Sequence, residues 1–377
     1  MDGLFIFNSP FRVTNNAENI LDFSGASGVD WRSSALSAQG APGTTLVNKS
    51  LLNITDSGTS QIQLSGGVVL RNEGEISISE AADLNIGQGS IFQNDIQGVI
   101  KLRDNVDIAG SMFTNTGLIQ KSIGTASATI GSLINNIPGT LSIEVGEVII
   151  PTNYAGDGII SGDGFIRTLS SLDIAGTIAP GTNGPGNLGY NNATEFDSTP
   201  ACIYQFELNG SIPETEYDVF IINSSARLNG TLEVILSFEP DIDDEFIIIS
   251  ANAISECNLP SQVISTFNGS EYTFDVICNP DNVTLRVSSI ILGIDENQAT
   301  QVSIYPNPNS GSFTMALDKT YLELETTISN ILGQVIAKER FVNTNTINLT
   351  LEGSPGIYFV TLSTSEGIAK TMKLIKE

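Results

Sequence analysis

Residues 92–119 read FQNDIQGVIKLRDNVDIAGSMFTNTGLI, and one phrase occurs twice in this stretch. The phrase is an apolar residue, one further residue, an asparagine, a short turn and then an alternating apolar strand. It begins at Phe92 and again at Phe113, 21 residues later. Apolar side chains that recur at every second position predict β-strands and not helices.

Five copies of this phrase lie within residues 46–145. Their asparagines follow one another at steps of 24, 22, 21 and 20 residues and are Asn48, Asn72, Asn94, Asn115 and Asn135. One turn of a parallel β-helix takes roughly 20–25 residues. The spacing therefore predicts a right-handed parallel β-helix, with stacked aliphatic side chains inside and a ladder of asparagine amides. A sandwich of ordinary hairpins is the alternative, because short, evenly spaced strands have a similar pattern.

Shorter strand-and-bend phrases continue through residues 171–250. Examples are AGTIAPG at 175–181 and ARLNGTLEV at 226–234. These phrases resemble the end of an autotransporter-like passenger β-solenoid. The resemblance implies an architecture and not an activity.

The composition excludes several functional classes. The chain has 42 acidic and 16 basic residues, a net charge of −26, which argues against nucleic-acid binding because that needs a basic face. It contains no histidine, which removes Ser-His-Asp triads, Cys-His pairs and imidazole metal sites. Of its three cysteines, Cys257 and Cys278 have a spacing that allows a disulfide and would leave Cys202 free, although spacing alone does not fix the pairing.

The sequence has no recognisable membrane or leader segment. No run of eighteen apolar residues occurs, so we expect no transmembrane helix. The start, MDGLFIFN at 1–8, lacks a basic region and a long apolar region, so we expect no signal peptide in this chain.

Charge changes abruptly near residue 300. Residues 302–377 contain six basic and seven acidic residues, so nearly all of the negative charge lies before them. This break predicts a domain boundary near residue 300. Since the repeated phrases begin at residue 46, we expect an N-terminal cap or remnant of an upstream region at 1–45 and a β-helix at 46–290. A linker at 291–301 and a C-terminal domain at 302–377 would follow.

The C-terminal domain contains four ordered motifs. They are IYPNPNSGSF at 304–313, ISNILGQV at 328–335, GIYFV at 356–360 and KTMKLIKE at 370–377. Alternating apolar residues and turn glycines predict a small Ig-like antiparallel β-sandwich.

In order, spacing and terminal position, these motifs resemble the type A C-terminal sorting domain of the type IX secretion system of Bacteroidetes, over residues ~292–377. The matching positions are Pro306, Asn307, Pro308, Gly311, Phe313, Gly333, Gly356, Tyr358, Lys370, Lys373 and Lys376. The resemblance implies three partners: the outer-membrane secretion machinery, a sorting peptidase that removes the domain, and surface lipopolysaccharide to which the new end is joined unless it is released. The implied location is extracellular or on the outer cell surface. An ordinary Ig-like module without a sorting role is the alternative.

Candidate catalytic groups are few. Glycoside hydrolysis needs two carboxylates at a defined separation. Asp104 with Asp107, or Asp241, Asp243 and Asp244, are available but lie in no recognisable motif. We therefore expect no catalytic residues, no cofactor and no metal. Weakly bound calcium in the Gly-Asp-Gly stretch at 156–166 is an alternative to plain turns.

These inferences predict a secreted or surface-anchored structural, adhesin-like protein that is not an enzyme. Its ligands would be glycans or the surfaces of host or neighbouring cells. The alternative is a carbohydrate-binding or polysaccharide-degrading β-helix protein that is exported by the same route.

Overall fold

A computed structural model describes residues 43–292 and 302–377, except 56–61, 80–81, 111, 151–152, 169–172, 193 and 365–368. Before residue 43 it describes five strands only, at 5–7, 11–13, 19–21, 29–31 and 35–38. The chain divides into two compact units, Met1–Leu292 and Gly293–Glu377. In the described ranges the regular elements are β-strands, and no helix there is long and apolar enough to cross a membrane.

Three sheets wind through the first unit, and successive strands join them in turn. The first sheet contains β1 Phe5–Phe7, β4 Val29–Trp31, β7 Leu51–Ile54, β10 Glu75–Ile78, β13 Val99–Leu102, β16 Leu118–Lys121, β19 Thr140–Ile143, β22 Ile159–Gly162, β25 Thr177–Pro180, β28 Ile203–Leu208 and β30 Thr231–Leu236. The second contains β2 Phe11–Val13, β5 Ala35–Ala38, β8 Ile62–Ser65, β11 Asp83–Ile86, β14 Asp107–Gly110, β17 Ser127–Ile130, β20 Glu147–Ile150, β23 Phe165–Thr168, β24 Asp173–Ile174, β26 Asn187–Asn191, β27 Phe196–Ser198, β29 Val219–Asn229, β31 Glu245–Asn258, β32 Gln262–Phe267, β33 Ser270–Cys278 and β34 Asn282–Ile291. The third contains β3 Asn19–Leu21, β6 Thr45–Asn48, β9 Val69–Asn72, β12 Ile91–Asn94, β15 Phe113–Asn115, β18 Ser132–Asn135 and β21 Asn153–Ala155.

Parallel pairing brings equivalent residues of successive coils above one another. In the first sheet, Ile76 pairs with Leu52 on one side and with Ile100 on the other. The buried column that contains them is Val29, Leu52, Ile76, Ile100, Ile119, Leu141, Ile160, Ile178, Tyr204 and Leu232. Each fully buried aliphatic side chain contributes about 1.5–3 kcal/mol. The predicted all-β fold with a parallel β-helix is confirmed.

A column of asparagines runs beside this apolar core. Each of the five asparagines is the last residue of a third-sheet strand, and each is at most 1% exposed. The side-chain amide of Asn48 donates to Asn72 at 2.8 Å, Asn72 to Asn94 at 2.8 Å, and Asn94 to Asn115 at 2.7 Å. Asn115 donates to Asn135 at 2.7 Å. Since an unsatisfied buried amide is costly, this chain of bonds fixes the register of five coils.

The turns that follow the asparagines pass close to the column. A Cβ atom added at Gly98 would lie 2.3 Å from the Asn94 side-chain oxygen, and one at Gly117 would lie 2.7 Å from the Asn94 amide nitrogen. Glycine is required at these positions by this close approach of the backbone.

The column ends where the sequence of the coils changes. Asn135 donates to the Tyr154 hydroxyl at 3.3 Å instead of to a further asparagine. At the other end, the residue that pairs with Asn48 is Leu21. Parallel pairing is already present at β1, so coils extend into residues 1–45, the region that the sequence assigned to a cap or remnant.

The coils give way to antiparallel strands before residue 292. β31 pairs in parallel with β29 through its second half and antiparallel with β34 through its first half. β32, β33 and β34 then form an antiparallel meander. Cys257 at the end of β31 and Cys278 at the end of β33 form a disulfide that ties the meander to the last coil, while Cys202 is buried and free. The meander thus continues the second sheet with antiparallel strands, and β32 is the last of them.

The second unit is a small antiparallel domain. Its strands are β35 Val302–Tyr305, β36 Ser312–Asn330, β37 Val335–Thr350, β38 Gly356–Thr364 and β39 Ala369–Lys376. A register shift between Ala316 and Tyr321 divides β36, whose first half pairs with β35 and whose second half pairs with β38. Buried residues from both halves, including Met315 and Leu324, share one core. The predicted antiparallel domain is thus present, and its two halves belong to one hydrogen-bonded sheet.

We predict that Asn94→Ala lowers the free energy of unfolding of the first unit by about 2–4 kcal/mol, because it removes bonds to Asn72, Asn115 and two carbonyls in a dry environment. Chemical denaturation of both variants measures the effect. Asn85→Ala, which removes an outward-facing asparagine of β11, is the control and is expected to change the value by under ~0.5 kcal/mol. Equal effects of the two substitutions would contradict the role of the column.

Candidate functional site

The C-terminal strand β39 is held by the proline-containing segment that precedes β36. The side-chain amide nitrogen of Asn307 donates to the Lys373 carbonyl at 2.9 Å. The Ile375 N–H donates to the side-chain oxygen of Asn307 at 2.8 Å. One side-chain amide therefore replaces a peptide unit and extends the hydrogen bonding of the sheet beyond β39.

Asn309 completes this clamp. Its backbone N–H and its side-chain amide both donate to the Ile375 carbonyl at 2.9 Å, and its own carbonyl accepts from the Glu377 N–H at 2.9 Å. Its side-chain oxygen accepts from Gly311, whose φ of +115° is one that glycine tolerates. The sequence prediction did not include Asn309. The available signal was its position two residues after Asn307, which places both side chains on one side of an extended segment.

The prolines suit a segment that binds in this way. Pro306 and Pro308 have no N–H, so the donors of the segment are confined to Asn307 and Asn309. Asn307 donates its side-chain amide to the terminal strand, and Asn309 donates both its backbone N–H and its side-chain amide.

The three lysines of the last strand have different surroundings. The Lys376 ammonium donates to the Leu351 carbonyl at 2.7 Å and to the Gly353 carbonyl at 2.8 Å, so it fastens the strand to the loop after β37. Lys370 borders a groove of about 370 Å³ that is also lined by Val302, Ser303, Ala316, Leu317 and Asp318. Lys373 is exposed.

The other predicted sorting positions are mostly structural. Phe313 lies in the core, and Gly333 has φ +80° in the turn between β36 and β37. Tyr358 is 7% exposed and donates its hydroxyl to the Ser354 carbonyl at 2.7 Å. Gly356 pairs with Lys376 at the start of β38. These residues shape the domain around the terminal strand.

The first unit brings Asp104 and Asp107 into different surroundings. The fully buried Lys121 donates to Asp104 at 2.9 Å and to the carbonyls of Ile123 and Gly124. Asp107 lies on the outer face of β14 beside Asp83, and burial together with the Asp83 charge raises its pKa. Asp104 thus pairs with a buried lysine, and removal of the Asp104 carboxylate would leave the Lys121 charge buried and uncompensated.

The remaining acidic candidates form turns. The Asp241 N–H donates to the Asp244 carboxylate at 2.9 Å, and Asp243 has φ +70°. In the stretch 156–166, the Asp157 carboxylate accepts from the Ile137 N–H at 3.0 Å and Asp163 accepts from the Asn187 N–H at 3.2 Å. No group of three or more acidic or cysteine side chains within the described ranges could hold a metal ion.

A buried carboxyl that the sequence did not single out is Asp218. It is 1% exposed and accepts from the Gly186 N–H at 2.8 Å and the Glu207 N–H at 2.7 Å, so it joins two coils. Burial raises the pKa of Asp218 to about 7, against the lowering effect of these two bonds. Nothing local identifies it, because its partners lie 32 and 11 residues away.

Comparison with known proteins identifies the C-terminal domain. Residues 303–377 match the family model of the secretion system C-terminal sorting domain and belong to that family. The chain is therefore exported by the type IX secretion system to the cell surface or the extracellular space. The predicted resemblance is confirmed for this domain.

Other comparisons are less informative. No curated protein matches the sequence. Four chains of solved structures match, including the crystal structure of the chitinase ChiW from Paenibacillus sp. str. FPU-7, a cell-surface-expressed multi-modular enzyme. That match has 10% identity and a TM-score of 0.16, and it covers 99% of this chain and 24% of the chitinase chain.

We predict that Asn307→Ala accelerates hydrogen exchange at the Ile375 amide, because that N–H loses its acceptor. Residue-resolved exchange by NMR measures the rate, with the exposed Asn345→Ala as the control. An unchanged Ile375 rate in Asn307→Ala would contradict the clamp.

A second prediction concerns pH. A carboxyl whose pKa rises from 3.8 to about 7 on folding binds more protons in the folded state, so stability is lost as pH rises through this window. Asp218→Asn removes this titration. We expect the thermal midpoint of the variant, relative to wild type, to increase between pH 4 and 7.5. The exposed control Asp281→Asn is expected to show no such change. A difference in thermal midpoint between Asp218→Asn and wild type that stays constant with pH, as in this control, would contradict the raised pKa of Asp218.

Proposed function

We propose that this chain is a structural, adhesin-like protein that is displayed on the outer cell surface or released, and that it is not an enzyme. The observation that carries the proposal is the combination of a sorting domain with a rod of stacked coils. The rod is built from uninterrupted columns such as those of Ile76 and Asn94. Such repetition supports an extended contact surface for glycans or for the surfaces of other cells.

The positions of the acidic residues also support a non-catalytic role. Asp104 is paired with Lys121, and the Asp244 carboxylate accepts from the Asp241 backbone N–H in a turn. In each set at least one carboxylate, Asp104 or Asp244, already accepts a hydrogen bond within the fold, whereas glycoside hydrolysis uses two carboxylates placed on either side of the scissile bond. We propose that the protein needs no cofactor, and weak calcium binding remains an outcome of the experiment below.

We also propose the processing route that the sorting domain implies. A sorting peptidase cuts between the two units, near 288–301, and the new end is released or joined to surface lipopolysaccharide. Residues 293–301 lie outside the described residues. Residues 288–291 belong to β34, and Ile290 packs against the solenoid core. A cut after β34 would leave both the solenoid core and the sorting-domain core undivided, which supports this route.

Carbohydrate binding is the second candidate function, and one observation favours it. Phe165 lies on the outer face of β23, and its ring covers Gly189, where an added Cβ would lie 2.1 Å from the ring. Arg167 and Asn191 flank it and both bond to Glu147, at 3.0 and 3.2 Å. An aromatic ring bordered by planar polar side chains suits a sugar that stacks on it.

We predict that the purified full chain binds a glycan or a cell surface without releasing sugar fragments. Glycan arrays and cell-binding assays, each with calcium and with chelator, measure binding, and reducing-end assays on the bound polysaccharides measure cleavage. Phe165→Ala separates the two candidates, since it weakens binding only where stacking on this ring carries it. Release of fragments from any polysaccharide would contradict the non-enzymatic role.

A further inference from the structure

The outward face of the sorting domain carries apolar side chains at one end. A row across β37, β36, β38 and β39 consists of Val335, Ser329, Phe359 and Lys373, each paired with the next. Val335 is 60% exposed and Phe359 is 38% exposed. The alternate positions, such as Val360 and Leu374, fill the core, so this row points to solvent.

The same end of the sheet includes the turn between β36 and β37. Ile331 and Leu332 are 68% and 78% exposed in that turn. Ile357, which is 42% exposed, lies two residues before Phe359 on β38 and pairs with Ile375. We name these side chains the docking face; they are Ile331, Leu332, Val335, Ile357, Phe359 and Lys373. Clustered exposed apolar residues of this kind mark interaction sites.

Lys373 differs from the other cations of this domain. Lys338 pairs with Glu325 and Arg340 with Glu323, each at 2.7 Å, while Lys376 is bonded to two carbonyls. Lys319 lies over the Tyr321 ring, and Lys370 also has an interaction partner. Among the residues described in the domain, none pairs with the Lys373 ammonium. An unpaired charge in an apolar surface is suited to an opposite charge on a partner.

We propose that the docking face binds a protein component of the outer-membrane secretion machinery, through an apolar surface that places a carboxylate opposite Lys373. The inference rests on the proposed export role of this domain. A second copy of the chain fits poorly, because a two-fold contact uses the same face on both copies and the docking face contains no acid that could pair with Lys373. Lipid recognition typically uses clusters of 4–8 basic residues, whereas this face has one.

The test uses the full chain, with a signal peptide, in a bacterium that has a functional type IX system. The variants are Lys373→Glu and Phe359→Ser. Lys338→Glu is the charge-matched control on the same sheet, and Leu322→Ser, at a side chain 80% exposed outside the docking face, is the apolar control. The measurements are the exported fraction, the periplasmic fraction and the thermal midpoint of each purified variant.

We expect both docking-face variants to lower the exported fraction by about tenfold or more, with periplasmic accumulation and thermal midpoints close to wild type, while both controls export normally. Normal export of both variants, or equal losses in the controls, would overturn the proposal. If the docking-face variants have lowered thermal midpoints that account for their loss of export, the face stabilises the chain itself, and this outcome would also overturn the proposal.

Two further arms separate the remaining explanations. Deletion of residues 303–377 should abolish export; if it does not, the export role itself fails, and not only the docking face. The second arm measures binding of the full chain to vesicles that contain lipopolysaccharide. If the chain binds them and Lys373→Glu weakens that binding, the docking face recognises lipid, and the proposal of a protein partner is overturned.

Discussion

The hydrogen bonds between buried asparagine amides are the constraint on which the solenoid depends. An amide in a dry core must find both donors and acceptors, and here the next coil supplies them at 2.7–2.8 Å. A coil that slipped by one residue would leave two neighbouring amides unsatisfied and turn every apolar side chain outward. Turn glycines such as Gly98 and Gly117 follow from the same constraint, because the backbone passes so close to the column.

The spacing of the asparagines predicted the coils because the column reads along the sequence at nearly regular steps. Other features could not be found in this way. Lys121 pairs with the buried Ile143, and only its bonds to Asp104 and to the Gly124 carbonyl, which lie in the loops of two successive coils, explain a charge there. Asp218 is bonded to residues of two other coils, and no local pattern records such contacts. The parallel pairing of β1 and β2 with the next coil was also not predicted, since the asparagine phrase is absent there.

In the sorting domain the motifs were recognisable, yet their physical roles became clear only from the fold. Asn307 and Asn309 hold the terminal strand through side-chain amides, and Lys376 fastens it from the other side. Lys376 and Lys373 are three residues apart in one motif, but one is a structural contact and the other is exposed. Thus the same clamp that completes the sheet also presents Lys373 on its surface, which connects the stability of this domain with its recognition during export.

The central claim, that equivalent residues of successive coils are stacked, is tested most directly by a distance across several coils. Ser77 and Ser161 face outward on the first sheet and are four coil steps apart through Lys101, Gln120 and Ser142. At about 4.8 Å per step, their Cα atoms are about 19 Å apart. Spin labels on the Ser77→Cys, Ser161→Cys variant, measured by pulsed electron paramagnetic resonance, are expected to give one narrow distribution near that value. A broad distribution, or a distance far above it, would contradict the stacked coils.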